Sequence, residues 1–326
     1  IDEENNQAKV WMIEPNGQFF WGLWTVPLYE EKVLKERHES WRRKEKMHRS
    51  VLKGKDNIAH HQYIVGHSPV TADAAEDFFS RIPVDLVFTS LHFSYGYLMV
   101  ITEHLLKEED DNVLLRFAEV FQLTYTRFLD LQKAEAQARE AQIEASLERV
   151  RSKTMAMHNS QDVGESVATL FDEIFVLGLL GVNDRCGIGI MQPNEIMEAW
   201  TAAKTPEGKA ELTIGFINMK LHPMMVSAYG GWVEKKEINQ YILEGEDKLS
   251  YYDAIRNQSD YKIKRDYFSD QIRIVHTDFY FNEGCLYVFS ENEFSAEATS
   301  VFLRFVGVFG QTYRRYLDLQ RAEKQA

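Results

Sequence analysis

The sequence predicts an α+β fold in which one domain occurs twice along the chain. Residues 115–138 and 303–326 align at a constant offset of 188, with 16 of 24 positions identical. In both halves, short β-branched and aromatic runs typical of strands alternate with helix-forming segments. A stretch from residue 111 to 157 contains no Pro or Gly and joins the halves. The period of about 190 residues is far too long for a solenoid, so these observations predict two domains linked by a helix.

The repeat extends upstream of these two segments, where it is weaker but in the same order. Trp41 followed by Leu52-x-Gly54 matches Trp232 followed by Leu243-x-Gly245. Three further pairs complete the match: DFFS at 77–80 with DYFS at 266–269, Phe93-x-x-Gly96 with Phe281-x-x-Gly284, and Trp11-x5-Gly17 with Trp200-x7-Gly208. About 45 residues separate the long helix from Trp200, whereas ten precede Trp11. We therefore expect the first copy to lack its opening helix and strand, and the chain to be a piece of a longer protein.

The strands and helices of each copy are predicted from residue type and turn signals. Strands are expected at 10–13, 19–26, 85–89 and 95–102 in the first copy, and at 187–191, 196–202, 210–218, 272–278 and 284–290 in the second. Asn16-Gly17 and Pro206-Glu207-Gly208 are turn signals between neighbouring strands, which favours antiparallel hairpins. Helices are expected at 30–53, 160–177, 227–243 and 295–325. The sum is a domain in which helices lie before, between and after the strands of an antiparallel sheet.

The connector between the copies is predicted to be one continuous helix. Its 47 residues are mostly strong helix formers and would span about 70 Å. A heptad stripe runs along it through Leu129, Ala136, Ile143, Leu147, Val150 and Met157. Polar residues at the alternate seam positions make the stripe imperfect. Such a stripe suits a parallel homodimer whose helices associate and can also shift relative to each other. The alternative is an isolated, solvated spacer helix.

The connector also carries a family resemblance. The sequence REAQIEASLERVRSKTMAMH at 139–158, entered from TYTRFLDLQ at 124–132, resembles the linker between tandem GAF-like sensory domains of bacterial, Bacteroidetes-type signalling proteins such as sensor histidine kinases. The resemblance covers both copies and both exit helices. It implies a GAF-like domain 1 over residues 1–130, a helical coiled-coil-type linker over 131–153 and a GAF-like domain 2 with its exit helix over 154–326.

The same resemblance implies the architecture of each domain and its role. A GAF-type fold has a six-stranded antiparallel sheet with helices on both sides and a small-molecule pocket on one face. The implied protein is a parallel dimer joined by signalling helices, which relay binding to an output domain in a two-component system or a related pathway. The resemblance names no ligand, so the cofactor stays unknown.

Candidate pocket residues follow from the sheet face and the helices that cover it in such domains. They are Trp200, His222, Tyr229, Tyr252, His276 and Tyr280 in the second copy, and His61 and His92 in the first. The pairs His92/Tyr280 and His61/Tyr252 differ between the copies, as residues that select a ligand would. The alternative is that these side chains are core residues, because aromatic side chains at strand and helix spacing usually are.

The sequence offers no constellation for catalysis or metal binding. The motifs GxGxxG, GxxxxGK[ST] and GxSxG do not occur, and neither cysteine has an identifiable histidine partner. His60-His61 with His67 lacks acidic or thiol ligands at regular spacing. We therefore expect a non-enzymatic protein without a metal. Two alternatives stay open: a purely structural dimerisation module without a ligand, and an enzyme such as a small-molecule reductase on the same fold.

Composition excludes several classes of partner. The net charge of −13 comes without a basic patch, which argues against direct nucleic-acid binding. No run approaches the ~18 apolar residues that a membrane span needs. Cys186 and Cys285 lie in apolar, strand-like surroundings and are expected to be buried, reduced thiols. These features predict a cytoplasmic setting without membrane contact.

Overall fold

The computed structural model of the chain describes residues 1–13, 19–158, 160–205, 210–257, 260–262 and 273–325. The chain divides into two compact units, Ile1–Ala134 and Glu135–Ala326, which we call domain 1 and domain 2. The division falls inside the linker predicted over 131–153. The predicted turns at Asn16-Gly17 and Pro206-Glu207-Gly208, and the DYFS motif at 266–269, lie outside the described residues.

Domain 1 carries two antiparallel sheets in its described residues. Its elements are β1 (Gln7–Ile13), β2 (Phe19–Pro27), α1 (Lys32–Arg42), β3 (Met47–Lys53), α2 (Lys55–Gly66), α3 (Ala72–Arg81), β4 (Asp85–Phe93), β5 (Gly96–Thr102) and the first half of α4 (Glu108–Met155). β1 pairs with β2, and β3, β4 and β5 form a three-stranded sheet in that order.

Domain 2 forms one six-stranded antiparallel sheet. After the second half of α4 come α5 (Ser160–Val176), β6 (Arg185–Gln192), β7 (Ile196–Lys204), β8 (Ala210–Asn218), α6 (Pro223–Val233), β9 (Ile238–Glu244), α7 (Gly245–Arg256), β10 (Arg273–Phe281), β11 (Gly284–Ser290) and α8 (Ala296–Gln325). The strand order is β8-β7-β6-β11-β10-β9, so β6 and β11 lie at the centre. The predicted α+β class with antiparallel sheets is confirmed.

The predicted long helix is also confirmed. α4 contains 48 residues, and its N-terminal turn is Glu108, Glu109, Asp110 and Asp111. Four carboxylates at this end favour the helix because they face the positive pole of its dipole. No helix of the described residues is both long enough and apolar enough to cross a membrane.

The helices predicted over 30–53 and 227–243 are wrong in their second halves. α1 ends at Arg42 and α6 at Val233, and each is followed by an edge strand. Lys44 and Lys235 end the helices by taking φ of 59° and 57°. Glycine usually fills this left-handed position, so a lysine there gives no stop signal in the sequence. Helices α2, α3 and α7 were not predicted.

Domain 2 has an apolar layer on each face of its sheet. On one face α5, α8 and the second half of α4 pack against the strands, and on the other α6 and α7 do. Four of the heptad positions belong to the first layer: Ile143, Leu147, Val150 and Met157 are at most 3% exposed. Their side chains contact their own domain, and in this arrangement a partner helix cannot also cover them. Leu129 is half-buried in domain 1 and Ala136 is exposed.

Equivalent elements are buried to different extents in the two domains. Among the described residues, domain 1 has no counterpart of α5 or β6, and its strands form two sheets where domain 2 has one. β11 is buried along its whole length, whereas its counterpart β5 is mostly half-buried. Phe305 of α8 is 0% exposed, whereas the matching Phe117 of α4 is 63% exposed. Domain 1 therefore exposes apolar positions that domain 2 keeps in its core.

Candidate ligand site

A small cavity lies in domain 2, between the sheet and helices α6 and α7. Its volume is about 30 Å³, which holds one or two water molecules. Apolar side chains from β7, β8, α6 and α7 form most of its wall, including Met197, Met224 and Met225. The polar part of the wall consists of Arg185, Tyr251, Tyr261, His276, Asp278 and Tyr287. Charged groups inside an apolar layer distinguish this region from the rest of the domain.

His276 and Asp278 form the central pair of the cavity. They lie two residues apart on β10, so strand alternation places both on the face under α6 and α7. His276 Nε2 lies 2.9 Å from Asp278 Oδ1, and the two residues are 4% and 1% exposed. Because the carboxylate accepts from Nε2, the neutral histidine leaves Nδ1 as an acceptor. Nδ1 is buried and has no hydrogen-bond partner among the described residues. It is available to a donor inside the cavity.

The Asp278 carboxylate has two further donors. Asn239 Nδ2 lies 3.3 Å from Oδ2, and Cys285 Sγ lies 3.7 Å from Oδ1. Tyr280 Oη also lies 3.4 Å from Oδ2, but its single proton goes to Ala228 O, which is nearer at 2.7 Å. Burial raises the pKa of the Cys285 thiol and of the Tyr280 hydroxyl well above their usual ranges, so both stay protonated donors. A buried carboxylate needs such donors to offset its loss of water.

Arg185 brings a positive charge to the same cavity from β6. It is 3% exposed, and its guanidinium carbon lies 4.2 Å from the centre of the Phe289 ring. A guanidinium stacked on an aromatic face is stabilised by the ring quadrupole. Burial raises the pKa of the nearby Tyr251 and Tyr287 hydroxyls, which are neutral at physiological pH. The cavity thus combines one cation, one carboxylate and several neutral hydroxyl groups.

A hydroxyl network closes the cavity toward β7. Thr201 Oγ1 contacts Tyr287 Oη at 2.6 Å and also hydrogen-bonds Tyr261 Oη. The Tyr287 hydroxyl reaches Thr201 across β6 at Gly187, where a Cβ atom would lie 2.6 Å from it. The Gly187-Ile-Gly189 run of the sequence therefore serves packing within the sheet.

Of the predicted pocket residues in domain 2, only His276 lines the cavity. Trp200 is buried on the opposite face of the sheet, in the layer under α5, because β7 turns residues 198, 200 and 202 away from α6. Trp200 therefore does not line this cavity. Tyr252 of α7 is buried beside Tyr251, with ring centres 5.5 Å apart, but does not line the cavity.

The other three candidates in domain 2 hold α6 in place. His222 is the N-cap of α6: its Nδ1 accepts from Met224 N at 3.1 Å, and its Nε2 lies 3.1 Å from Asp247 O. Tyr229 donates to Gln192 O at 3.0 Å, and Tyr280 donates to Ala228 O at 2.7 Å. These residues fasten the helix that covers the cavity and do not line it.

The two candidates in domain 1 lie on helix α2 and on strand β4. His61 Nδ1 is 2.9 Å from Asn57 O, and its ring packs on Phe88 at 5.6 Å. His92 Nδ1 donates to Glu45 O at 2.8 Å. Burial lowers the pKa of both rings.

Sequence reasoning missed Arg185, Asp278 and Tyr287. The alternation His276-x-Asp278-x-Tyr280 was a usable signal, because it places three polar residues on one face of a strand predicted to be buried. Arg185 gave no such signal, since a charged residue at the start of a strand usually faces solvent. Both cysteines are buried and free, as predicted. Among the described residues, no three side chains of His, Cys, Asp or Glu are grouped as a metal site requires.

A scan against protein-family models finds no family that matches the chain, and no curated protein matches its sequence.

Proposed function

We propose that the chain is the sensory and dimerisation region of a larger signal-transduction protein, built from two GAF-like domains, and that domain 2 binds a small molecule under α6 and α7. The observation that carries this proposal is the pair His276–Asp278. At the offset of 188 its counterparts in domain 1 are Phe88 and Ser90. A buried carboxylate with a histidine partner that only one copy contains is not a requirement of the fold, and burying the carboxylate costs free energy. Recognition of a ligand explains why domain 2 keeps it.

The architecture of domain 2 supports the GAF-like assignment. The resemblance implies a six-stranded antiparallel sheet with helices on both sides, and domain 2 has six antiparallel strands between two helical layers. The cavity lies on one face of that sheet. Fold analogy alone does not identify a ligand, so the class of ligand must be inferred from the side chains of the site.

A route from the site to the exit helix supports a relay. On β10, His276 and Asp278 face the cavity. The next residue, Phe279, faces the opposite side of the sheet. Phe279 is fully buried and stacks on Phe302 of α8, with ring centres 4.9 Å apart and planes 16° apart. A ligand that moves β10 would therefore also move α8. In the proposed parallel homodimer, two arrangements of the exit helices then set the state of an output domain.

A purely structural dimerisation module is the second candidate, and the size of the cavity favours it. Sites for small organic ligands usually enclose about 300–1,000 Å³, and this cavity encloses about 30 Å³. A sensor with this geometry must open under α6 and α7 to admit its ligand. A module that only dimerises has no need to open.

One double substitution separates the two candidates. His276→Phe with Asp278→Ser installs the residues that domain 1 has at these positions. The sensor proposal expects native mass spectrometry of the wild-type chain, purified gently from cells, to show a dimer with a bound small molecule. The double variant should remain a folded dimer and lose that molecule.

The structural alternative expects the opposite pattern. The wild-type dimer would carry no small molecule, and the double variant would be at least as stable, because it removes a carboxylate whose burial costs free energy. That combination would refute the sensor proposal. A monomeric wild-type chain would refute both candidates, because each of them requires a dimer.

A further inference from the structure

Domain 1 buries an arginine that has no hydrogen-bond or ion-pair partner among the described residues. Arg37 of α1 is 2% exposed, and its guanidinium carbon lies 5.8 Å from the centre of the Phe88 ring and 5.5 Å from that of Tyr97. Its Nε and Nη2 atoms are buried and make no hydrogen bond with any described residue. No ion pair with a described carboxylate includes it. An arginine cannot shed its charge by losing a proton, so its burial requires an acceptor.

Two polar atoms on the strand face that α1 covers are also left without partners among the described residues. Ser90 and His92 lie two residues apart on β4, and alternation places them with Phe88 on the face that α1 covers. Ser90 Oγ and His92 Nε2 are both buried without a hydrogen-bond partner among the described residues. His92 and Arg37 are close enough for the arginine charge to lower the pKa of His92 further. We call Arg37, Ser90 and His92 the Arg37 cluster.

The carboxylates at the two ends of α1 are already engaged. Glu31 lies 3.3 Å from His60 Nδ1 and accepts from Leu34 N at 2.8 Å. Glu45 pairs with Arg43 at 2.7 Å and also accepts from Ser40. Neither carboxylate is within ion-pair distance of Arg37. An internal counter-charge from these two residues would require both of them to leave their present partners.

We propose that the Arg37 cluster binds a small oxyanion, such as hydrogen phosphate or a hydroxy acid. Nε and Nη2 lie on one edge of the planar guanidinium, so they donate in parallel to two oxygens of one carboxylate or phosphate group. The Ser90 hydroxyl is a third donor. His92 Nδ1 donates to the Glu45 carbonyl, which makes Nε2 of the neutral ring an acceptor for a hydroxyl of the ligand. The rings of Phe88 and Tyr97 exclude water and strengthen these charged hydrogen bonds.

This site is separate from the cavity of domain 2. At the offset of 191 that aligns Trp41 with Trp232, the counterpart of Arg37 is Ala228. The buried arginine of domain 2, Arg185, comes from β6, which has no counterpart in the described part of domain 1. The proposal therefore holds or fails independently of a ligand in domain 2.

The test is isothermal titration of the full 326-residue chain with inorganic phosphate and with lactate. We expect at least one probe to bind, and Arg37→Met to weaken its binding by about tenfold or more, because a charged bidentate contact is lost. Arg37→Lys, which keeps the charge without the fork, should bind with intermediate affinity. The matched control is Arg42→Met on the same helix, whose side chain is 60% exposed and whose loss should leave binding unchanged.

Two results would overturn the proposal: neither probe binds the wild-type chain, or Arg37→Met binds as tightly as wild type. Ser90→Ala keeps the charge and removes only one hydroxyl, so it covers the case in which Arg37→Met does not fold. It should weaken binding of the same probe several-fold, and unchanged binding would also count against the site.

Discussion

The hydroxyl of Tyr287 occupies space that only a glycine at position 187 leaves open. A Cβ atom at Gly187 would overlap the Trp200 carbonyl oxygen and lie 2.6 Å from Tyr287 Oη. Both are fixed parts of the central sheet. We therefore predict that Gly187→Ala lowers the free energy of unfolding of domain 2 by about 1–3 kcal/mol, the usual cost of overpacking a core. Chemical denaturation of the full chain measures this change in the free energy of unfolding.

Gly230 is the matched control for this substitution. It lies within α6, and a Cβ atom built there meets nothing within 4 Å. Gly230→Ala should raise the stability of domain 2 by about 0.5–1 kcal/mol, because alanine loses less conformational freedom in a helix. Equal effects of the two substitutions would show that the contact between Gly187 and Tyr287 does not exist in solution.

Single residues also mark where sequence reasoning reached the site and where it stopped. His276 was among the candidates because it is a histidine on a predicted strand of the sheet, which needs no coordinates. Asp278 and Arg185 were not found, because their burial depends on the sheet order, in which β11 lies between β6 and β10. Trp200 lies on the face opposite the cavity, which sequence spacing alone did not fix, because the face to which a strand residue points changes with a one-residue shift.

The two exit helices give a direct test of how the burial of a residue determines its contribution to the free energy of unfolding. Phe117 of α4 and Phe305 of α8 hold the same position in the repeat, and they are 63% and 0% exposed. Phe305→Ala should cost about 3–5 kcal/mol, because it leaves a cavity in the layer under α5. Phe117→Ala should change stability by no more than about 0.5 kcal/mol. Thermal and denaturant unfolding at several protein concentrations would give both values.

Concentration is the informative variable in this comparison. If Phe117→Ala costs several kcal/mol and the cost rises with protein concentration, the exposed stripe of α4 is covered in solution by a second chain. A cost near zero at all concentrations agrees with the exposure in the structure. A small cost for Phe305→Ala would contradict the packing of α8.

At the level of elements, prediction succeeded where composition and spacing carry the information. α4 was predictable because 47 residues without Pro or Gly have few alternatives to a helix. β3 in the first copy and its counterpart β9 in the second copy were both missed, and for the same reason. Each is an edge strand with polar residues, MHRSVLK and INQYILE, and each follows a helix that ends at a left-handed lysine. Tertiary pairing with β4 and β10, which no local signal encodes, makes them strands.

Over the whole molecule, burial gives the two domains opposite responses to acid. In domain 1, desolvation is the main cause that lowers the pKa of four histidines: His38, His48, His61 and His92. Histidine in an unfolded chain has a pKa of about 6.5. As the pH falls below that value, the unfolded domain therefore binds more protons than the folded one. Stability from these groups is complete above that pH and is lost as the pH falls. In domain 2, burial raises the pKa of Asp184 and Glu198, which favours the folded state in acid.

We therefore predict that domain 1 becomes less stable between pH 7 and pH 5 while domain 2 does not. Within that window each histidine contributes at most about 1.4 kcal/mol per pH unit. Hydrogen exchange of peptides from β3–β5 and from β9–β11, corrected for the intrinsic pH dependence, reports each domain separately. His61→Tyr, which installs the residue of domain 2 at this position, should reduce the loss in domain 1. An equal loss in both domains, or none in domain 1, would mean that these rings are hydrated in solution and that the helix-covered face of domain 1 is open to water.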